Sequence, residues 1–327
     1  MMLSKSMSQV AIIRPLVACG RSIRKRSVFV FVFLIVNFFL LRLVSVRTTH
    51  PTAGGNPKAP VEGEYLQLED FASAVEKLQR HVSTVRSRCR RMARFGGLVT
   101  CDDCHKCIVD GGKLLCLDAD VRPVPNSCHA LSFGIGYDMS FEKALVQYGC
   151  RVTAFDPTSI NLTNTVQPGN IQAIRLGLDA RDHEFVQNFT DLRHQRTEQH
   201  QMSYRKYQSI IELLDYPDVH LLKMDIEGSE WKVFSQILSS PESRNLLNNV
   251  RQILLEVHLD FLTTGDDLET TYYNALQATD VFESLEDLGF HLAAFELNES
   301  TLSEYVLNNV NVSLYREISL IRRTPNL

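Results

Sequence analysis

Two apolar runs in this chain end in turns that carry glycine or acidic residues. LSFGIGYD occupies residues 131–138, and KMDIEGSE occupies residues 223–230. In open α/β sheets, ligands bind outside the carboxyl ends of the parallel strands. A glycine turn at one strand end and a carboxylate at another therefore predict a nucleotide-like pocket on one parallel sheet. An enzyme is the leading hypothesis.

The alternation of strand-like and helix-like segments predicts the same α/β fold. Apolar runs typical of strands occupy residues 129–133, 151–155, 171–176, 219–224 and 250–257. Helical spacing of apolar residues occurs at 139–149, 203–215 and 229–239. Such alternation is typical of βαβ units and a parallel sheet. After a predicted helix at 270–289, the segments 290–297 and 313–323 predict an antiparallel closing pair.

The charge of the chain is divided unevenly. Residues 1–47 contain eight Lys or Arg and no acid, so the remainder carries 26 basic and 38 acidic residues, a balance of −12. A phosphate backbone requires a basic protein surface. We therefore expect no nucleic-acid partner.

Residues 28–46 are almost wholly apolar and follow a cluster of basic residues at 21–26. About 20 apolar residues cross a bilayer core as a helix, and basic residues stay on the cytoplasmic side. We expect residues 1–27 to be a cytoplasmic tail, 28–46 a transmembrane signal anchor, and the protein a single-pass type II membrane protein of the endoplasmic reticulum or Golgi. A cleaved signal peptide, with secretion, is the alternative. Four glycosylation sequons support export, at Asn161, Asn188, Asn298 and Asn311.

Seven of the eight cysteines follow this predicted anchor. In an oxidising compartment most of them would pair, and the odd number leaves one thiol over. CDDCHKC at 101–107 also allows zinc, with His105 and Cys116 as further ligands. Disulfides are the favoured interpretation because no second pair of comparable spacing is present.

Residues 47–63 are rich in Pro, Gly and Thr and predict a flexible stem. Within 64–94, apolar residues follow strict 3-4 spacing, at Leu68, Phe71, Val75, Leu78, Val82, Val85, Cys89 and Met92. This spacing predicts either a coiled coil that pairs two chains, with Cys89 as an interchain bridge, or one amphipathic helix on the main domain. Residues 95–128 form a cysteine-bearing cap, and 129–323 form the sheet domain.

The segment 130–156 carries the pattern of a nucleotide-binding turn. A strand leads into Gly134 and Gly136, a helix follows, and the next strand ends at Asp156. Glycine allows the backbone to turn tightly and approach a ligand, and an acid about 20 residues later can bind ribose hydroxyls. An ordinary strand–helix turn is the alternative.

SFGIGYDMSFE, GCRVTAFDPT and KMDIEGSEW resemble the animal methyltransferase-like proteins with an FkbM-like domain, in particular the methyltransferase-like protein 24 group. The resemblance covers roughly residues 100–323. It implies a Rossmann-like methyltransferase sheet, mostly parallel with an antiparallel closing strand, that uses S-adenosylmethionine. In this chain Ser132 stands where such methyltransferases commonly carry an acid.

The resemblance also implies roles for individual residues. Gly134 and Gly136 would pass the methionine part of the cofactor, Asp156 would hold its ribose, and Asp179 would lie near the adenine. Asp225 and Glu227 would line the junction between cofactor and acceptor.

Transfer of a methyl group to a hydroxyl also requires a base or a metal to remove the proton. Asp225, Glu256 and His258 lie at the ends of two neighbouring predicted strands and could hold a divalent cation. Alternatively, His258 is the general base, because the pKa of an unperturbed histidine is near neutrality, or it only satisfies a buried hydrogen bond. The candidate catalytic residues are therefore Asp225, Glu227 and His258.

The sequence thus favours a methyltransferase in the secretory pathway that methylates a hydroxyl of a glycan or another small molecule. One alternative is a non-catalytic binding protein on the same scaffold. The other is a luminal glycosyltransferase, which would use Asp118-Ala119-Asp120 to hold a metal and a nucleotide sugar.

Overall fold

A computed structural model describes residues 68–101, 107–136, 138–158, 166–167, 171–191, 196–263, 267–298, 304–307 and 310–323. The predicted tail, anchor and stem lie outside these ranges, as do Cys104, His105 and Asn161. Within the described part of the chain, no helix is long and apolar enough to cross a membrane.

The first half of the described chain begins with one helix, α1 (Leu68–His81). A ribbon of four short strands follows: β1 (Met92–Phe95), β2 (Leu98–Cys101), β3 (Cys107–Asp110) and β4 (Lys113–Cys116). The next elements alternate: β5 (His129–Phe133), α2 (Ser140–Tyr148), β6 (Arg151–Phe155), β7 (Val166–Gln167), β8 (Ile171–Ile174), β9 (Gly177–Leu178), β10 (His183–Asp191) and β11 (Arg196–Arg205).

The second half continues with α3 (Tyr207–Leu213), β12 (Leu221–Met224), α4 (Glu230–Leu238), α5 (Pro241–Asn245) and β13 (Gln252–His258). A 3-10 turn (Asp260–Leu262) leads to α6 (Leu268–Asp287). The last strands are β14 (Phe290–Leu297), β15 (Glu304–Leu307), β16 (Val310–Ser313) and β17 (Tyr315–Arg322).

Eight strands form the central sheet in the order β14-β17-β13-β12-β5-β6-β8-β7. The strands from β13 to β8 run parallel to one another. β17 is antiparallel to both β13 and β14, which confirms the predicted closing pair. The fold is therefore α/β with a mostly parallel sheet, as the sequence predicted.

The apolar core lies on both faces of this sheet. Alternate residues of β5 belong to separate clusters: Leu131 packs with α1, α4 and α6, whereas Ala130 packs with α2 and the cap. Parallel strands buried on both faces read as continuous apolar runs in the sequence. This property made the central strands recognisable before their pairing was known.

Local signals explain where helices begin and end. α2 ends at Gly149, whose φ of 109° is left-handed and whose N–H donates to the carbonyls of Leu145 and Val146. α6 begins after Asp267, whose carboxylate accepts a hydrogen bond of 2.8 Å from the Thr270 N–H.

The prediction of a helix through residue 94 is wrong, and so is the proposed dimer seam. α1 ends at His81, and the N–H groups of Arg86 and Ser87 donate to the carbonyl of Leu292 in β14. The helical apolar face, Phe71, Val75 and Leu78, is buried in the core of its own chain. These seam positions are therefore not free to pair with a second copy, and the alternative prediction, one amphipathic helix on the main domain, holds for residues 68–81.

Six of the cysteines form three disulfides within the chain. Cys89 pairs with Cys116, Cys101 with Cys107, and Cys128 with Cys150. Cys89 is therefore not an interchain bridge. Cys101, Cys107 and Cys116 are not thiolates, so the zinc interpretation of 101–107 is excluded for these three residues.

The structure also contains strands that the sequence did not predict. β10 and β11 form a long antiparallel ribbon, and β9 pairs with β11. β15 and β16 form a hairpin in what was predicted to be a loop.

Candidate active site

The ends of β5, β6 and β12 surround a cavity of about 710 Å³. Gly134, Gly136, Asp156, Asp225 and Glu227 all line it, so the structure brings these predicted site residues together. The cavity opens at the carboxyl ends of the parallel strands, where α/β folds bind ligands. Its volume falls within the range of roughly 300–1,000 Å³ that small-molecule sites occupy.

The glycine turn is held between two neighbouring strands. The Gly134 N–H donates to Phe155 at 2.9 Å, and the Asp225 N–H donates to Phe133 at 3.1 Å. Gly134 has a φ of 74°, and a Cβ there would lie 1.6 Å from the carbonyl oxygen of Asp225. Only glycine fits such a position. At Gly136, whose φ is 58°, a Cβ would meet no atom within 4 Å, so this residue faces open space.

Asp156 is bound to the chain itself. Its Oδ2 accepts hydrogen bonds from the N–H groups of Ile135 at 3.0 Å and Gly136 at 2.7 Å. Its Oδ1 accepts from the N–H and the hydroxyl of Thr158, both at 2.7 Å. An ionised carboxylate offers about four acceptor positions. Asp156 therefore clamps the glycine turn, and a ribose would have to share or replace these contacts.

An acid reaches Ser132 from helix α2. The Ser132 hydroxyl donates to the buried carboxylate of Glu142 at 2.5 Å. Burial raises the pKa of Glu142, and nearby Lys223 opposes that effect. The chain thus carries an acid behind the glycine strand, although it comes from residue 142 and not from residue 132.

Lys223 supports the same turn from β12. Its ammonium donates to the carbonyls of Phe133 and Gly134 and lies 3.4 Å from Asp225. Its side chain is almost fully buried. Lys223 therefore joins the glycine turn to the first acid of KMDIEGSE.

Lys113, from the cap strand β4, provides a buried cation in a group of acids. Its Nζ lies 3.2 Å from Asp225 and 3.9 Å from Glu256, and it donates to Glu317. Burial opposes its charge, but these three carboxylates outweigh burial and raise the pKa of Lys113 well above its usual range. Lys113 is therefore charged at every physiological pH.

The acids around Lys113 differ in their readiness to ionise. Burial opposes the ionisation of Asp225, but Lys223 and Lys113 lower its pKa well below the usual range. Burial, and then the charges of Asp225 and Glu317, raise the pKa of Glu256 well above the usual range. With a pKa of about 8, Glu256 is mostly protonated at neutral pH, but once ionised it is a stronger proton acceptor than Asp225, and its side chain lines the cavity.

The predicted metal ligands do not form one set. Among the described residues, Asp225 lies with Glu227 and His258 in one group and with Glu256 and Glu317 in another, but no group contains both Glu256 and His258. His258 also pairs with Glu230, and Lys113 lies beside Glu256. Lys113 already provides a positive charge to the group that contains Glu256. The donor set Asp225, Glu256 and His258 therefore does not fit a divalent cation as predicted.

His258 forms a buried ion pair at the end of β13. Its Nδ1 lies 3.0 Å from Glu230, which also accepts a 2.9 Å hydrogen bond from the Ile226 N–H. Burial opposes the charge of His258, but Glu230, then Glu256 and Asp225, raise its pKa to about 10. His258 therefore carries a proton at neutral pH and cannot act there as the predicted general base.

His258 instead holds the loop that carries Glu227. Its Nε2 lies 3.7 Å from Glu227, and its carbonyl accepts a 2.8 Å hydrogen bond from the indole of Trp231. Glu227 has a left-handed φ of 56°, and its side chain is exposed towards the cavity. This loop geometry places the Glu227 side chain at the cavity.

One wall of the cavity is apolar and aromatic. It contains Phe133, Phe155, Leu176, Leu178 and Tyr204. Asp179 lies outside this lining, with its carboxylate 3.7 Å from His183 and 4.0 Å from Lys232. The prediction that Asp179 lies near an adenine stays a prediction.

The predicted glycosyltransferase motif, Asp118-Ala119-Asp120, lies near the amino end of β13, away from the candidate active site. Asp118 and Asp120 both accept hydrogen bonds of 2.8 Å from Arg323. They line a separate cavity together with arginines. Two aspartates that share one arginine in this way do not fit the metal site of a glycosyltransferase.

A family model described as "Methyltransferase domain" matches residues 86–308, most of the chain. The chain belongs to this methyltransferase-domain family. It is 24% identical to the Homo sapiens "Probable methyltransferase-like protein 24" over 258 residues, covering 72% of this chain and 65% of that protein. It is 29% identical to the Rattus norvegicus protein of that name over 213 residues, covering 61% of this chain and 51% of that protein. The chain therefore spans between half and two thirds of these curated relatives, and the predicted resemblance is confirmed.

Several site residues could not be recognised from sequence reasoning. Lys113 and Glu317 lie far from the motifs in sequence and meet Asp225 only in the folded chain. Lys223 and Glu230 belong to KMDIEGSE. The sequence signal for Lys223 is a lysine within an otherwise apolar strand. In the sequence Asn298 is recognisable only as part of a sequon, but in the folded chain its amide donates to Glu256.

Proposed function

We propose that this protein is an S-adenosylmethionine-dependent methyltransferase that transfers a methyl group to a hydroxyl of a glycan or another small molecule. The observation that carries the proposal is the single cavity lined by the glycine turn, Asp156 and Asp225 at the carboxyl ends of parallel strands. Membership of a methyltransferase-domain family supports the reaction type.

The residues of the cavity fit this cofactor. The open space beside Gly136 leaves room for a ligand to approach the backbone, and the apolar wall that contains Tyr204 suits an adenine ring. The acids Asp138, Asp156 and Asp225 give the cavity a negative lining that suits a cationic ligand. When bound, the cofactor would supply a methyl group on a positively charged sulfur.

Each side chain has a distinct task in this mechanism. The glycine turn and Tyr204 would hold the donor, and Asp225, kept ionised by two lysines, would stabilise positive charge in the cavity. Alignment of donor and acceptor is the main contribution of the protein to a displacement of this kind. Glu227 is placed on a strained loop at the cavity mouth, where it can hold an acceptor hydroxyl.

Glu256 is the best candidate for the base. It lines the cavity, its pKa is raised by burial and by neighbouring acids, and Asn298 donates a hydrogen bond to it. As the methyl group is transferred, the acceptor hydroxyl would give its proton to the ionised form of Glu256, whose share grows as the pH rises towards about 8. Lys113 remains beside the acids as a fixed positive charge throughout.

A location in the secretory pathway belongs to the same proposal, with the N-terminal segment as a type II membrane anchor. Three disulfides support an oxidising compartment. The sequon residues Asn188 and Asn311 are exposed, as glycosylation requires.

Titration calorimetry with S-adenosylmethionine and with a UDP-sugar tests the proposal. We expect S-adenosylmethionine to bind, Tyr204→Ala to weaken its binding about tenfold through loss of the aromatic wall, and Tyr216→Ala to leave it unchanged. Tyr216 is 63% exposed and is not part of the cavity lining, so it is a matched control. Binding of the UDP-sugar alone would contradict the proposal.

Transfer of the methyl group is tested separately, with an isotope-labelled donor and extracts of the secretory compartment. We expect a labelled product with the wild type and none with Glu256→Gln, although both bind the donor. Donor binding without any product from the wild type would instead favour a non-catalytic protein on this scaffold.

A further inference from the structure

A second cavity, of about 830 Å³, lies at the amino end of β13, whereas the candidate active site lies at the carboxyl ends of the parallel strands. It is lined by Arg251, just before β13, and by Arg322 and Arg323 at the end of β17. Strands rise about 3.3 Å per residue, so Arg251 lies about 17 Å along β13 from Glu256. This cavity is therefore separate from the proposed methyl-transfer site.

All the cationic side chains of this second cavity are arginines. Arg90 and Arg91, just before β1, complete the set, and two acids, Asp118 and Asp120, also line the cavity. Five positive and two negative side chains give a local charge of +3. The chain beyond residue 47 has a net charge of −12. The positive charge of this cavity is therefore opposite in sign to the net charge of the rest of that chain.

The two acids are already bound within the chain. Both accept hydrogen bonds from Arg323, and Asp118 also accepts from the backbone N–H groups of Arg90 and Arg91 at 3.1 to 3.2 Å. The third nitrogen of Arg323 donates to the carbonyl of Arg88 at 2.6 Å. Asp118 thus fixes the backbone of Arg90 and Arg91, two exposed residues that line the cavity.

Three guanidinium groups have no acid to pair with among the residues that the structure describes. The side chains of Arg90, Arg91 and Arg251 form no ion pair within that part of the chain. Arg322 is anchored by the carbonyls of Leu247 and Asn248 at 3.0 and 3.2 Å. Burial, and then the charge of Arg251, lower the pKa of Arg322. Such crowding of positive charges has an energetic cost, and a bound anion would reduce this repulsion.

We propose that this arginine pocket binds a soluble ligand that carries several sulfate or phosphate ester groups. Guanidinium groups pair with tetrahedral oxyanions through two parallel hydrogen bonds, which lysine cannot reproduce. The concave shape fits a discrete polyanion better than a flat membrane surface. Three arginines without an acidic partner allow more than one ester group to be held at once.

Calorimetry with three probes tests this proposal: a sulfated heparin hexasaccharide, the same hexasaccharide after desulfation, and inositol hexakisphosphate. We expect the sulfated hexasaccharide or inositol hexakisphosphate to bind, and the desulfated form not to bind. Binding of the sulfated hexasaccharide alone would identify sulfate esters as the bound groups, and binding of inositol hexakisphosphate alone would identify phosphate esters. Salt should weaken the binding, because the contacts are electrostatic.

The double variant Arg90→Gln with Arg251→Gln is expected to weaken this binding about a hundredfold, since each charge-assisted contact contributes about tenfold. The control is Arg80→Gln with Arg181→Gln, which removes two exposed arginines outside the pocket and should have no effect. Both variants should keep the thermal stability of the wild type. Their binding of S-adenosylmethionine should also be unchanged, since the other cavity is intact.

The proposal is overturned if neither polyanion binds, if the desulfated hexasaccharide binds equally well, or if both double variants lose the same affinity. It is also overturned if the protein binds only vesicles of phosphatidylcholine and phosphatidylserine, because the pocket would then recognise a membrane surface.

Discussion

The buried pair of His258 and Glu230 makes the stability of the protein depend on pH. In the folded chain the pKa of His258 is raised from 6.5 to about 10. A raised pKa stabilises the fold fully below the unfolded pKa, and this contribution is lost as the pH rises through the folded pKa. The window therefore lies between pH 6.5 and pH 10. Each pKa unit corresponds to about 1.4 kcal/mol, so the upper bound is about 5 kcal/mol.

Glu230→Gln tests this reasoning with little change in shape. The carbonyl of the substituted glutamine can still accept from Ile226 and His258, but the negative charge is lost. We expect the free energy of unfolding to fall by about 2–3 kcal/mol below about pH 6.5, the contribution of a hydrogen bond between charged groups. The deficit should shrink towards zero as the pH passes about 10, because the histidine of the wild type then also loses its proton.

Urea unfolding at a series of pH values, with disulfides intact, measures the difference between wild type and variant. Glu283→Gln is the control, because Glu283 forms a half-exposed surface pair with Lys77, which contributes at most about 1 kcal/mol. If the deficit of Glu230→Gln were the same at every pH, or no larger than that of the control, the buried ion pair would be refuted.

Three further predictions concern the candidate site. Lys113→Met should lower the free energy of unfolding by about 3–5 kcal/mol, because buried carboxylates lose their shared cation; urea unfolding measures this. Gly134→Ala should prevent native folding, because its Cβ would lie 1.6 Å from the Asp225 carbonyl oxygen. Gly136→Ala should lower the free energy of unfolding by only about 1–2 kcal/mol, because only its left-handed φ is unfavourable for alanine. Circular dichroism melts of the two variants test both expectations. Methyl transfer should increase with pH through the raised pKa of Glu256, since only the carboxylate accepts a proton, and a flat profile of rate against pH in the wild type would count against this role.

The sequence predicted the central sheet because its strands are buried on both faces. The runs around Leu131 and Leu254 contain few polar residues, and the turns after them carry glycine or acids. The predicted meeting of Gly134, Asp156 and Asp225 followed from strand order in this type of fold. Chain periodicity and turn chemistry were sufficient for that much.

Contacts between distant segments could not be predicted in the same way. The regular spacing through Met92 predicted a longer helix, but backbone bonds to Leu292 and the Cys89–Cys116 disulfide take the chain out of the helix after His81. Likewise, no local pattern shows that Lys113 reaches Asp225.

The charge state of His258 is a further case of this limit. Its unperturbed pKa suggested a general base, yet a partner 28 residues away keeps it protonated. Desolvation and ion pairing depend on the whole fold, so such a pKa becomes accessible only with the structure.

Hydrogen exchange with and without S-adenosylmethionine tests the central claim, that the cavity at the carboxyl ends of β5, β6 and β12 binds this cofactor. We expect slower exchange in the backbone amides of residues 133–138, 155–158 and 225–229, and unchanged exchange around Arg251. Protection that is absent from all three segments, or confined to other parts of the chain, would contradict the account.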